Sequence, residues 1–237
     1  MLSGRQARQY IPRYKLVFIL WTFSCLLCGS YFFGAMARSG IAFESLVFIP
    51  KMLVILWKGL AEVLLVLASL IIAQSSKAFK LVFYIFLIFV ADMVLAFGAV
   101  PVAGLIFAFA HLFIAYVYLS LSAKPLNPFL KLISFMPISL VFMVLIYSIW
   151  VSNFQIIVIF PIFSAIATFG ALRSDYPWFL NGIGSALIWV SDMLFVLAIL
   201  TWEDATAVGW LVWLTFSLGF LLIVLGLIKK PIQISDV

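Results

Sequence analysis

Polar residues are so sparse along this chain that its organisation is set by where they interrupt apolar runs. Runs of about 20 apolar residues recur, each long enough to cross about 30 Å of hydrocarbon at about 1.5 Å of helix rise per residue. The pattern predicts eight spans, over residues 15–34, 46–73, 81–98, 104–122, 129–150, 154–172, 178–201 and 208–228. The expected fold class is all-α, a polytopic integral membrane bundle. Its single transmembrane domain, 15–228, lies between a cytoplasmic N-terminal segment, 1–14, and a cytoplasmic C-terminal tail, 229–237.

Two of the runs are interrupted in the same way. FVADMVLAF at 89–97 and WVSDMLFVL at 189–197 share the order aromatic, Val, small, Asp, Met. Each is followed by a glycine-led apolar stretch, GLIFAFAHLF from 104 and GWLVWLTFSL from 209. The recurrence points to two parallel four-helix repeats, with the span carrying Asp92 matching the span carrying Asp192.

Spacing then places the polar side chains. The GAVPVAG stretch joins spans 3 and 4 as an antiparallel hairpin. Asp92, six residues before Gly98, and His111, seven after Gly104, are each about 9–10 Å from that turn. They are expected to face each other. In span 7, Asn181, Ser185 and Asp192 fall within about 40° of one another on one helix face, which is expected to point inward. On span 2, Lys51, Lys58 and Glu62 share a stripe. Lys58 and Glu62 at i,i+4 are expected to form a structural ion pair, with Lys51 reaching the membrane surface.

Composition excludes a soluble domain: 67% of the 237 residues are hydrophobic and 9% charged, against about 45–50% and about 25% in ordinary soluble proteins. The net charge of +6 reads as topology. Arg5, Arg8, Arg13, Lys15, Lys77, Lys80, Lys124, Lys131, Arg173, Lys229 and Lys230 all fall on one side of the eight spans, expected to be cytoplasmic. In a bacterium the location would be the inner membrane. Cations scattered over short loops do not make a nucleic-acid face, so the bilayer is the expected partner. The basic MLSGRQARQYIPRYK lacks a small-residue cleavage site after its apolar run, so the first span is expected to be retained. Cys25 and Cys28 form a CxxC, but with a single histidine in the chain a four-ligand zinc site cannot be closed. No metal and no cofactor is expected. The GxSxG, HExxH and phosphate-loop patterns are missing.

A carboxylate at mid-bilayer costs about 2.5–3.5 kcal/mol on insertion scales, which makes an intramembrane aspartate a functional candidate. Two carboxyls in low dielectric can divide the roles of acid and base, as hydrolysis of an acid-labile ether requires. Asp92, flanked by apolar Val90, Met93 and Val94, is expected to donate the proton. Asp192, sharing its face with Asn181 and Ser185, is expected to be the ionised partner, and His111 to orient a carboxyl or shuttle a proton. Two other classes fit the same residues: a small-solute or lipid transporter built on the two repeats, and a non-catalytic membrane scaffold with silent aspartates.

Four stretches carry a family resemblance: FIPKMLVIL in span 2, FVADMVLAF in span 3, GLIFAFAHLFIAYVYL after it, and the late GSALIWVSDMLF. Over most of residues 46–228 the chain resembles the YhhN-type lysoplasmalogenases, eight-helix membrane hydrolases. Carried over, the family's two aspartates fall on Asp92 and Asp192, its histidine on His111 and its span-2 lysine on Lys51. The resemblance implies hydrolysis of the vinyl-ether bond of an ether lysolipid, giving a fatty aldehyde and a glycerophospho-head group. Lys51 or Lys58 would hold the phosphate, with Asn181 and Ser185 also on the substrate side. The chain departs from the pattern in four places. Pro50-Lys51 reverses the usual Lys-Pro order, Ala91 replaces a common Gly, and Ile114 and Phe220 stand where polar side chains are frequent.

Overall fold

The computed structural model describes residues 4–38, 50–73, 76–120, 137, 140–141, 145, 160–173, 178–201 and 208–229. All secondary structure among them is helical. The helices are α1 (Gly4–Arg38), α2 (Lys51–Ile72), α3 (Ser76–Ala96), α4 (Val100–Ser120), α5 (Phe160–Arg173), α6 (Trp178–Thr201) and α7 (Gly209–Lys229). All but α5 are long and apolar enough to cross a bilayer, which makes this a multi-pass membrane protein. The expected span 129–150 lies outside the described residues, except that Pro137, Leu140, Val141 and Leu145 are helical.

Two helix boundaries differ from those the apolar runs predict, each for a local reason. α2 begins at Lys51 rather than at residue 46. Pro50 is its cap (φ −53°, ψ 137°), and the Pro50 carbonyl accepts the first backbone bonds, from the N–H groups of Leu53 and Val54 at 2.9 and 3.2 Å. The hairpin turn is also tighter than expected, spanning only Phe97 to Ala99. Gly98 takes φ +91°, while the N–H of Ala99 donates to the Val94 carbonyl at 3.2 Å and that of Gly98 to the Leu95 carbonyl at 2.9 Å. This pair of bonds closes α3 around a left-handed residue, a conformation glycine adopts without a Cβ penalty. Pro101 then sits in the first turn of α4, where no N–H is needed. α4 therefore opens at Val100, and Gly104 is buried inside it.

Packing follows chain order. Each helix lies against its neighbours from α1 to α7, and α7 returns to α1 and α2, closing the bundle. Outward, Phe18, Phe23, Leu26, Leu56, Phe79, Leu105 and Tyr116 are exposed, as suits contact with lipid chains. Inward, Leu65, Ile85, Ile88, Ile114 and Phe220 are almost wholly buried. Ile114 and Phe220 fill the interior with hydrocarbon.

α6 and α7 approach closely at Gly184 and Gly219. A Cβ on Gly219 would stand 2.6 Å from the Gly184 carbonyl oxygen, and one on Gly184 would stand 2.7 Å from the Gly219 carbonyl oxygen. Small residues that let backbones touch are a main means of helix association in lipid. Gly219→Ala is expected to lower stability by about 1–3 kcal/mol, the range for overpacking. Gly209→Ala meets nothing within 4 Å and should change little. Unfolding in mixed detergent would measure both, and equal effects would refute the close crossing.

Candidate functional site

The early start of α4 changes which residues meet. Measured from the helix ends at the turn, Asp92 lies about 6 Å in along α3 and His111 about 16 Å in along α4. They are not at one depth. The residue of α3 level with His111 is Tyr84, whose ring centroid is 5.9 Å from the imidazole. The expected Asp92–His111 facing is therefore not formed, and each residue is paired with another helix.

His111 meets Asp192. Its Nε2 is 3.2 Å from Asp192 Oδ2, with the two side chains 1% and 6% exposed. Neither atom has a well-aligned hydrogen bond among the described residues, so the contact is electrostatic. Phe107, one turn before His111, stacks on the imidazole at 6.3 Å and 13°. The pair joins α4 to α6 in a surrounding of aromatic and aliphatic groups. One proton can reside on either partner, so the pair can act as acid and then as base.

Asp92 meets Lys58. The Nζ is 2.5 Å from Asp92 Oδ2 and 5.0 Å from the centre of the Trp213 ring. Trp213 is itself fixed, its Nε1–H donating to the Cys28 carbonyl at 3.3 Å and its ring edge-on to Tyr31 at 4.7 Å. Glu62, one turn along α2, is buried and within reach of both Lys58 and Asp92, with no well-aligned hydrogen bond to either of its oxygens among the described residues. The expected Lys58–Glu62 pair thus gives way to Lys58–Asp92. The lysine bridges α2 to α3 and leaves the second carboxylate beside it.

Asn181, Ser185 and Asp192 are all buried on the inward face of α6. Lys51 is the first residue of α2; its side chain lies outside the described atoms. Each aspartate finds a separate base, Asp92 one on α2 and Asp192 one on α4. Sequence reasoning missed Tyr84, Tyr118 and Trp213. Tyr118 had a signal, seven residues after His111 and so on its face; Trp213 had none beyond lying in an aromatic-rich helix. Among the described residues no cluster of three or more His, Cys, Asp or Glu could hold a metal ion.

No protein-family model, no curated protein and no solved structure matches the chain.

Proposed function

We propose that this chain is a membrane hydrolase that cleaves the vinyl-ether bond of lysoplasmalogens, releasing a fatty aldehyde and a glycerophospho-head group. The observation that carries the reading is the His111–Asp192 contact, an acid–base pair enclosed in a bundle whose outer surface suits lipid chains. Buried ionisable groups in membrane helices are expensive to keep without a use.

The pair's proton adds to the vinyl carbon remote from oxygen and leaves an oxocarbenium ion. As a water oxygen bonds to the cationic carbon, the pair takes back a proton from that water, and a hemiacetal results. The hemiacetal then loses its hydroxyl proton, the bond from its central carbon to the glycerol oxygen breaks to leave the aldehyde, and the glycerol oxygen gains a proton. Water is the only co-reactant. Asp92, expected from its apolar neighbours to be the donor, lies against Lys58. The donor role passes to the His111–Asp192 pair. Lys58, held by Asp92 and by the Trp213 ring, is equally committed. That leaves Lys51 as the cation for the phosphate.

The finer topology belongs to the same proposal: eight spans in two four-helix halves, with both termini cytoplasmic. It rests on the eleven Lys and Arg residues named above, of fourteen in the chain. Reporter fusions at residues 123 and 203 should give opposite signals, and equal signals would overturn the span count. Activity is tested by incubating purified protein with a lysoplasmalogen and assaying free aldehyde. The saturated alkyl-ether analogue should release none. Solute uptake into vesicles without aldehyde would favour a transporter instead.

A further inference from the structure

The geometry of the His111–Asp192 pair repeats one heptad away. Tyr118 lies seven residues after His111 on α4, and Ser185 lies seven before Asp192 on α6. Seven residues return a helix to within about 20° of the same face, about 10.5 Å further along its axis. The shifts run in opposite chain directions, so they coincide in space, and the Tyr118 hydroxyl lies beside Ser185. One turn further, Asn181 continues the same face of α6, about 4.5 Å from the helix start at Trp178.

These groups are buried and short of partners. Tyr118, Ser185 and Asn181 are 2%, 5% and 0% exposed. The Tyr118 hydroxyl and both the Nδ2 and Oδ1 of Asn181 have no well-aligned hydrogen-bond partner among the described residues. Around Ser185 the backbone is already used, its carbonyl accepting from Thr168 Oγ1 at 3.0 Å. An amide with two donors and one acceptor, which lies against Gly226 of α7, together with a serine hydroxyl and a phenol, offers the two to four polar contacts that hold a water molecule. Buried polar groups that protein does not satisfy are as a rule satisfied by water. The row is also one-sided. Toward the other end of the bundle, the faces that carry His111 and Asp192 continue as Phe107 and Gly104 on α4 and as Val196 and Ile199 on α6.

We infer that Asn181, Ser185 and Tyr118 hold a short file of water molecules that reaches the His111–Asp192 pair from the Asn181 end of α6 and stops there. The file is a blind channel, not a pore through the membrane. Its use as the source of hydrolytic water rests on the hydrolase reading; its existence does not.

Hydroxyl-radical footprinting of the purified protein tests it, because radicals formed from bound water oxidise the side chains that touch that water. Tyr118 should be oxidised despite its burial, while Phe220, equally buried at 1% and with no polar atom to hold water, should not. Asn181→Leu fills the outer end of the file with hydrocarbon and should cut Tyr118 oxidation several-fold. Tyr118 as silent as Phe220 in the unmodified protein would overturn the inference without any variant. Unchanged Tyr118 oxidation in a folded Asn181→Leu protein would overturn access from that end. Oxidation of Tyr118 in a protein that releases no aldehyde would keep the file and remove the hydrolase.

Discussion

Asp192→Asn is expected to cut aldehyde release by a factor of about 10² to 10⁴, the usual cost of losing a general acid–base group. Asparagine keeps the size of the side chain and can still contact His111 at the 3.2 Å now occupied by Oδ2. What it cannot do is take up and return a proton. Expression and unfolding should stay close to those of the unmodified protein, so the loss would be chemical. His111→Gln should give a loss of similar size, and the double variant little more than either alone, because the two residues act as one unit. If Asp192 only holds α4 to α6, the asparagine variant keeps activity within a few-fold of normal. That result would remove the pair from the mechanism.

The second large effect falls on stability. Lys58→Met strands Asp92 in the interior without its cation, and breaking one side of a buried ion pair costs about 3–5 kcal/mol. The two side chains are 13% and 6% exposed, so little solvent is at hand to screen the charge left behind. Adding Asp92→Leu to the same protein should recover part of the loss, since one carboxylate beside the missing lysine is then gone while Glu62 stays buried. Unfolding in mixed detergent gives the three values. A Lys58→Met protein within 1 kcal/mol of normal would mean that the pair does not hold α2 to α3. The same pairing reverses what the α2 stripe implied by itself. Exchanging Lys58 and Glu62 would put a carboxylate against Asp92 and is expected to destabilise rather than be tolerated.

Which polar residues turn inward was legible in the sequence, and the depth at which they meet was not. Asp92, Asp192 and His111 stand out because each interrupts an apolar run, and their burial follows from the cost of charge in hydrocarbon. Their partners depend on a few residues of helix boundary. Reading GAVPVAG as loop to Gly104 started α4 four residues late and set His111 beside Asp92. The φ of Gly98 and the helical start at Val100 carry His111 a further turn down, to Tyr84 on α3 and Asp192 on α6. Lys58 shows the other limit. An i,i+4 carboxylate on its own helix is visible in any sequence, whereas a better-placed one on a neighbouring helix is visible only once the helices are packed.

The pairing has a consequence for how the chain is made. Synthesis runs from the N-terminus, so α2 is in the membrane before α3, and α4 before α6. Lys58 therefore precedes Asp92, and His111 precedes Asp192, into the bilayer. While α2 waits, Lys58 has Glu62 one turn away on its own helix, a temporary counter-charge that can be given up when α3 arrives. The order of translation supplies each aspartate with a base that is already in place, so neither acid has to cross into hydrocarbon ahead of its partner.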